Sequence, residues 1–308
     1  MVWKSKIIKK ILDQADKIAL SNLPVLILGE SGTGKELLAK RLYRKSNRSN
    51  NQFISVNCAA IPDYLIESEL FGHVKGAFTG AIRDKSGYFK RANLGTLFLD
   101  EVTEFTPSTQ GKLLRILQDG RFQRVGDEAE LKSDVRVIAA TNRELKAYVR
   151  AGKFREDLYY RLAVLEIVLP PLRERLDDIV VLAEHFLSKY SAESIDAPSS
   201  LSAEAVSALL SYHWPGNIRE LQNSLERAAI IGKGKEKITL NELALPGRAR
   251  NAVEYVGRSL RSAVKLFKKN FIQEVLKEHN GNRTLAASTL GIQRTYLSRM
   301  IKELNIDI

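Results

Sequence analysis

The stretch VLILGESGTGKELLAKRLY, residues 25–43, decides how the first half of the chain folds. Val25 to Leu28 form a short apolar run of the kind a buried strand needs. GESGTGKE, Gly29 to Glu36, then carries the spacing G-x-x-x-x-G-K, and ELLAKRLY continues as a helix. A glycine-rich turn between a buried strand and a helix is the setting in which that spacing forms a phosphate-binding loop, or P-loop. Gly29, Gly32 and Gly34 let the backbone curl, so that N–H groups from Glu30, Ser31, Thr33 and their neighbours face a phosphate at a helix N-terminus. Lys35 is placed to reach the β- and γ-phosphates of a nucleotide. A glycine turn with a chance lysine is the plain alternative, and the flanking strand and helix argue against it.

Residue 36 is Glu where many P-loops carry Ser or Thr to hold Mg2+. The metal must then depend more on phosphate, water and other carboxylates. TLFLDE, residues 96–101, supplies them, because Asp100 and Glu101 follow an apolar run. Asp100 is placed to hold the metal and its water shell, and Glu101 to polarise an attacking water. Asn57 closes FISV, and Thr141 and Asn142 close VRVIAA. Strand C-terminal edges are where ligands bind in open α/β sheets; a loop or helix cap is the other use for such residues. GKFREDLYYRL carries Arg155 and Arg161, and WPGNIREL puts Arg219 at a helix start. A single arginine is more often a surface residue, whereas three near a triphosphate site are candidates to neutralise transition-state charge.

Outward from the P-loop, residues 1–170 alternate apolar runs with helical patterns: VLIL 25–28, FISV 53–56, TLFL 96–99, VRVIAA 135–140 and VLEIVL 164–169. That alternation predicts an α/β fold, a parallel sheet flanked by helices. Pro170-Pro171 ends this part, a subdomain over 1–171. Residues 172–245 read as wholly helical, with apolar positions three or four apart. Residues 246–257, with LPGRARNAVEYVG around them, read as a linker. From Arg258 a long helix and two short ones make an all-α module to residue 308.

The chain has 308 residues and 44% hydrophobic content, enough for two or three domains with real cores. Cys58 is the single cysteine, so no internal disulfide forms and a reducing, cytoplasmic setting fits. No apolar run reaches membrane-spanning length, and the basic N-terminus lacks the apolar core of a signal peptide, so no membrane partner is expected. Residues 248–308 hold twelve Lys/Arg against five Asp/Glu, a balance of +7 out of the chain's +12. A compact basic module points to nucleic acid. Within it, RTLAASTL and QRTYLSRMIKEL flank Gly291 at helix-turn-helix spacing. The second helix is placed to enter a major groove with Gln293, Arg294, Thr295, Tyr296, Ser298 and Arg299.

One more stretch has no place in this list. GAFTGA, Gly76 to Ala81, joins two glycines, Gly76 and Gly80, around Phe78 and Thr79. Glycines at both ends allow a loop to hinge. An aromatic on such a loop marks a contact surface.

In order, GESGTGKE, ELFGHVKGAFTGA, GTLFLDE, ATNRELK, GKFREDLYYRL and WPGNIREL resemble the AAA+ domain of bacterial enhancer-binding proteins, the activators of sigma-54 RNA polymerase. The resemblance covers about residues 1–245. GAFTGA is close to diagnostic, and Glu36 belongs to this family's P-loop. The resemblance implies that ATP is the nucleotide, with Mg2+. It implies that Asn57 restrains Glu101 until a signal arrives, and that Thr141 and Asn142 form the sensor I segment. Arg155 and Arg161 resemble arginine fingers reaching a neighbouring subunit's ATP, and Arg219 resembles sensor II. A site completed in trans implies a closed ring, in this family usually a hexamer. Gly76, Ala77, Phe78, Thr79, Gly80 and Ala81 are implied to grip sigma-54.

The basic module resembles the Fis-type domain that closes many such activators, and helix 258–279 would pair two copies on upstream double-stranded DNA. The AAA+ part begins almost at residue 1, where such activators often carry a sensory domain, some within two-component systems. The implied activity is ATP-driven opening of a sigma-54 promoter complex. A DNA-binding regulator with a vestigial ATPase is the rival reading, but such regulators lose GAFTGA. A helicase or clamp loader would need a nucleic-acid-gripping loop, and GAFTGA carries no charge.

Overall fold

Alternate residues of the predicted strands face two separate apolar cores. Leu26, Leu97, Leu99, Val137 and Ala139 join one core, while Val25, Ile27, Phe98, Ile138 and Ala140 join the other. A strand buried on both faces must be apolar throughout, which is why residues 25–28, 97–99 and 137–140 lack polar alternation, whereas the two edge runs carry exposed Ser55 and Glu166. The computed structural model describes residues 2–193, 197–245, 259–279, 281–304 and 306. The chain divides into two compact units, Met1–Ile238 and Thr239–Ile308. The expected linker, 246–257, lies outside the described residues, as do Arg258 and residues 307–308.

The five predicted runs form one sheet: β1 Val25–Leu28, β2 Phe53–Asn57, β3 Thr96–Asp100, β4 Arg136–Thr141 and β5 Leu165–Val168. Their order is β2–β3–β4–β1–β5, and every pairing is parallel. The ladder runs one residue beyond FISV, TLFL and VRVIAA, so Asn57, Asp100 and Thr141 are themselves the last strand residues. The opposite edge is structural. Arg136, 1% exposed, donates to the Ala19 and Ile18 carbonyls at 2.6 and 3.0 Å.

That contact ends the helix Lys6–Ala19, which the sequence reading left out although Ile8, Leu12, Ala15 and Ala19 repeat at helical spacing and are buried. The helix start is also tied down. Buried Asp178 accepts from the Lys4 and Ser5 N–H groups at 2.5 and 2.7 Å and from the Ser5 hydroxyl at 3.0 Å.

Residues 172–238 are not wholly helical. Helices Leu176–Glu193, Ala203–Ser211 and Asn217–Ile231 are present, but Ser200–Leu201 and Lys237–Ile238 pair as a short parallel ladder. Two-residue strands are too short for any periodicity to announce them. In the second unit, helices Leu260–Glu278, Arg283–Thr289 and Arg294–Glu303 enclose a small core that includes Ile272, Leu276, Ala287 and Leu297.

A further departure is a hairpin, Arg121–Gln123 with Glu130–Lys132, inserted before β4. Phe122 on it packs with Phe71 and Phe89, ring centroids 6.3 and 6.4 Å away, and Phe71 stacks on Phe89 at 5.5 Å. Phe71 precedes the GAFTGA segment and Phe89 follows it, so the three rings clamp its base. Phe89 is fully buried. Phe89→Ala is therefore expected to cost about 3–5 kcal/mol of stability, the usual range for an aromatic deletion in a core. Denaturant unfolding would check this, with faster proteolysis between residues 74 and 84 as the local sign.

Candidate functional site

Lys35 begins the helix Lys35–Arg44 and is only 6% exposed. Its Nζ donates to the Gly29 and Glu30 carbonyls at 2.9 and 3.3 Å and lies 3.6 Å from Glu101 Oε1. Buried Thr33 donates its hydroxyl to the Glu30 carbonyl. Glu36 faces solvent and pairs with Lys40 at 2.6 Å.

Among the described residues, Asp100 Oδ1 is buried with no hydrogen-bond partner. Burial pushes the Asp100 carboxyl above the usual carboxylate range; Lys35 opposes that rise and Glu101 adds to it. An orphan carboxylate oxygen beside a P-loop suits a hard cation. Among the described residues no group of three or more acidic, His or Cys side chains converges to hold a metal, so phosphates and water would supply the other ligands.

Glu101 follows in the left-handed region, φ 58° and ψ 54°, where a non-glycine residue is rare and strain often accompanies function. Its Oε2 accepts from the Asn142 N–H at 3.2 Å and from the Thr141 hydroxyl at 3.4 Å. Thr141 is fully buried and its Oγ1 also accepts from the Arg143 N–H at 3.0 Å. The structure thus brings Lys35, Asp100, Glu101, Thr141 and Asn142 together.

Asn57 sits opposite Asp100 in register, but its side chain accepts from the Ala59 N–H at 3.1 Å. Among the described residues no hydrogen bond joins Asn57 to Glu101. Cys58 beside it is buried, and burial, then the charges of Asp100, Glu101 and Glu104, push its thiol far up, which keeps it unreactive.

Arg219 reaches the P-loop, with Nη1 3.1 Å from Ser31 Oγ. Arg155 and Arg161 do not. Arg155 pairs with Asp157 at 2.7 Å, and Arg161 donates to the Leu117 carbonyl at 3.0 Å. Both lie exposed on or beside the helix Glu156–Leu162.

The GAFTGA segment is less free than its glycines suggest. Gly76 and Gly80 take φ of 84° and 106°, and the Gly76 N–H closes the loop on the Ala81 carbonyl at 2.8 Å. Phe78 is 38% exposed, with its ring edge-on to His73 at 5.0 Å. Thr79 is exposed, whereas Ala81 is 6% exposed and faces inward. The loop is strapped to the hairpin insert. Asp84 accepts from the Lys75 N–H at 2.8 Å and from Arg124 at 3.1 Å, and the Val74 N–H donates to the Val125 carbonyl.

In the second unit Gln293 precedes Arg294–Glu303 as its N-cap residue. Gln293, Arg294, Thr295, Tyr296 and Arg299 are exposed, and Ser298 is half-buried. Arg299 lies over the Tyr296 ring at 5.2 Å. On Leu260–Glu278, Leu260, Val264, Phe267 and Phe271 form an exposed apolar stripe, with Phe267 stacked on Phe271 at 5.8 Å. Sequence reasoning missed Arg173, Arg175 and Asn217, which bond to the P-loop, and Asp84 and Arg124 at the loop base. Each pairs with a residue far along the chain, so no linear spacing reveals it.

A P-loop on a parallel sheet with polar strand ends and a helical lid defines an AAA+ nucleotide-binding fold. Residues 1–168 match the family described as Sigma-54 interaction domain, residues 173–254 the AAA+ ATPase lid domain, and residues 264–304 the bacterial regulatory proteins of the Fis family. The regulatory protein AtoC of Escherichia coli (strain K12) is 49% identical over 94% of this chain and 64% of its own. The phenol regulator MopR of Acinetobacter guillouiae is 43% identical over 99% of this chain and 56% of its own. A solved structure of NtrX from Brucella abortus in complex with ADP matches at TM-score 0.77 and 32% identity, covering 99% of this chain and 70% of that one. The chain belongs to the sigma-54-dependent enhancer-binding activators. It spans only about three fifths of the length of these two curated relatives. Among the described residues no helix is long and apolar enough to cross a membrane.

The raised pKa of Asp100 has a sign. Its contribution to stability is present below the unfolded aspartate pKa, about 3.9, and is lost as pH rises through the higher folded value. At neutral pH the ionised group opposes folding. Asp100→Asn is expected to raise the melting temperature at pH 8 by roughly 1–3 °C, with a smaller gain at pH 5. Calorimetry at both pH values checks it.

Proposed function

We propose that this chain is a ring-forming ATPase that binds DNA upstream of a promoter and opens the sigma-54 RNA polymerase complex. The observation that carries the reading is the combination, in one sigma-54 interaction domain, of a nucleotide site with a glycine-hinged loop that bears a half-exposed phenylalanine. The working parts are taken as 1–171 for the ATPase core, 172–245 for the lid, 246–257 for the linker and 258–308 for DNA binding.

In this reading Lys35 and the P-loop N–H groups hold the phosphates of ATP, and Thr141 and Asn142 aim Glu101 at the attacking water. Asp100 would hold Mg2+, which when bound neutralises charge on the β- and γ-phosphates. Arg219 covers the nucleotide from the lid. Arg155 and Arg161, exposed and occupied away from their own P-loop, serve the site of the next subunit, so the ring, a hexamer by family precedent, is needed for turnover. Asn57 exchanges its Ala59 contact for Glu101 in the restrained state. The chain acts in the cytoplasm, where the DNA is.

Phe78→Ala and Thr79→Ala are expected to keep most ATPase activity and lose promoter opening with sigma-54 polymerase. ATPase and open-complex assays on the same preparations check both; normal opening by Phe78→Ala would remove the loop from the mechanism.

The second unit binds double-stranded DNA as a dimer held by the Leu260–Val264–Phe267–Phe271 stripe. Arg294, exposed in the first turn of its helix, reads bases, so Arg294→Ala should lose about 1–3 kcal/mol of sequence discrimination. Binding to specific and random duplexes across a salt series measures this.

A further inference from the structure

The lid meets the P-loop in two different ways. One set of contacts is buried. Asn217, with no exposed surface, accepts the Leu172 N–H at 2.7 Å and donates to the Ser31 carbonyl at 3.0 Å. Arg175, 6% exposed, donates to the Thr33 carbonyl at 2.8 Å. The Ile218 N–H donates to the Gly32 carbonyl at 3.0 Å. Gly32 has φ of +76°, and a Cβ there would lie 2.3 Å from the Gly216 carbonyl oxygen, so only glycine lets the two backbones touch.

The other set is exposed. Arg173 grips the Glu30 carboxylate with two hydrogen bonds, at 2.6 and 2.9 Å, and the two side chains are 40% and 41% exposed. Asn217 adds a hydrogen bond to the same carboxylate at 3.1 Å. The bonds from Arg173, then that from Asn217, hold the Glu30 carboxyl below its ordinary range, so it stays ionised. A bare carboxylate in a loop that faces phosphate would repel the nucleotide. Here it is turned to a lid cation instead.

Resting on the nucleotide-binding reading above, we propose that Glu30–Arg173 is a latch that holds the lid over bound nucleotide and sets the rate at which the nucleoside diphosphate leaves. The buried contacts of Asn217 and Arg175 with the P-loop carbonyls are the pivot, and the exposed pair is the part that opens. Exposure suits the role. An exposed ion pair is weak and screened by salt, so it can break in every cycle, whereas a buried pair would resist opening. Glu30 and Arg173 are thus positioning residues, and Glu30 serves as a lid anchor and not as a side-chain ligand of phosphate.

Release of a fluorescent N-methylanthraniloyl ADP from the full chain, followed by rapid mixing, tests the latch. Arg173→Ala should release it about three- to tenfold faster, the scale of one bidentate charge-assisted contact. Arg173→Lys should recover part of the difference, and the gap should shrink as salt is raised. Glu30→Gln should also speed release, and the double variant should be no faster than Arg173→Ala. An unchanged rate in Arg173→Ala, or slower release in Glu30→Gln, overturns the latch while leaving the nucleotide site standing. Failure of the native chain to bind the ADP probe overturns both.

Discussion

Both faces of the three central strands of the sheet are covered by apolar cores, and this constraint governs where chemistry can occur. A polar group in the middle of such a strand would be buried without partners. Polar side chains therefore collect where the ladder stops. Asn57, Asp100 and Thr141 end neighbouring strands, and the P-loop leaves β1 at the same edge. Lys35 is buried and Asp100 half-buried at that edge, and among the described residues Asp100 keeps an oxygen with no partner. The opposite edge holds Arg136 on helix carbonyls, a purely structural arrangement. That edge is not fully satisfied either: among the described residues Arg136 Nε and Thr96 Oγ1 are buried without a hydrogen-bond partner.

The GAFTGA loop shows how a glycine-rich segment can be both hinged and seated. Its glycines supply backbone freedom, but His73, Asp84, Arg124 and Val125 hold its base and its aromatic residue against the hairpin insert. Movement of the loop therefore begins by breaking specific contacts and not by diffusion of a floppy tether. Ile82, 82% exposed just beyond the motif, widens the apolar surface that the loop offers.

Much of this was legible in the sequence. Five apolar runs became the sheet, and the polar residues that close three of them, Asn57, Asp100 and Thr141, meet at one edge, because buried strands have a pattern that depends on local residues alone. The P-loop was legible for the same reason. Three kinds of feature were not. Ser200–Leu201 with Lys237–Ile238 is too short for a period. The hairpin insert has an exposed–buried–exposed first strand of only three residues. Glu30–Arg173 and Asp84–Arg124 join residues 143 and 40 apart, so charge complementarity exists only after folding. Ala81 and Ser298 lie further inward than motif membership alone suggests, since a motif names positions and not the way each side chain turns.

Asp178 gives the fold a mechanical property. Its carboxylate binds the Lys4 and Ser5 amides at the start of the helix Lys6–Ala19, while it stands in the first turn of the lid helix Leu176–Glu193. Tension on the chain ahead of Ser5 is therefore shared between that lid helix and the sheet core, against which Trp3 packs. The first residues are thus a handle on the lid as well as on the core, and a force applied there is felt at the start of the lid helix, close to where Arg175 meets the P-loop.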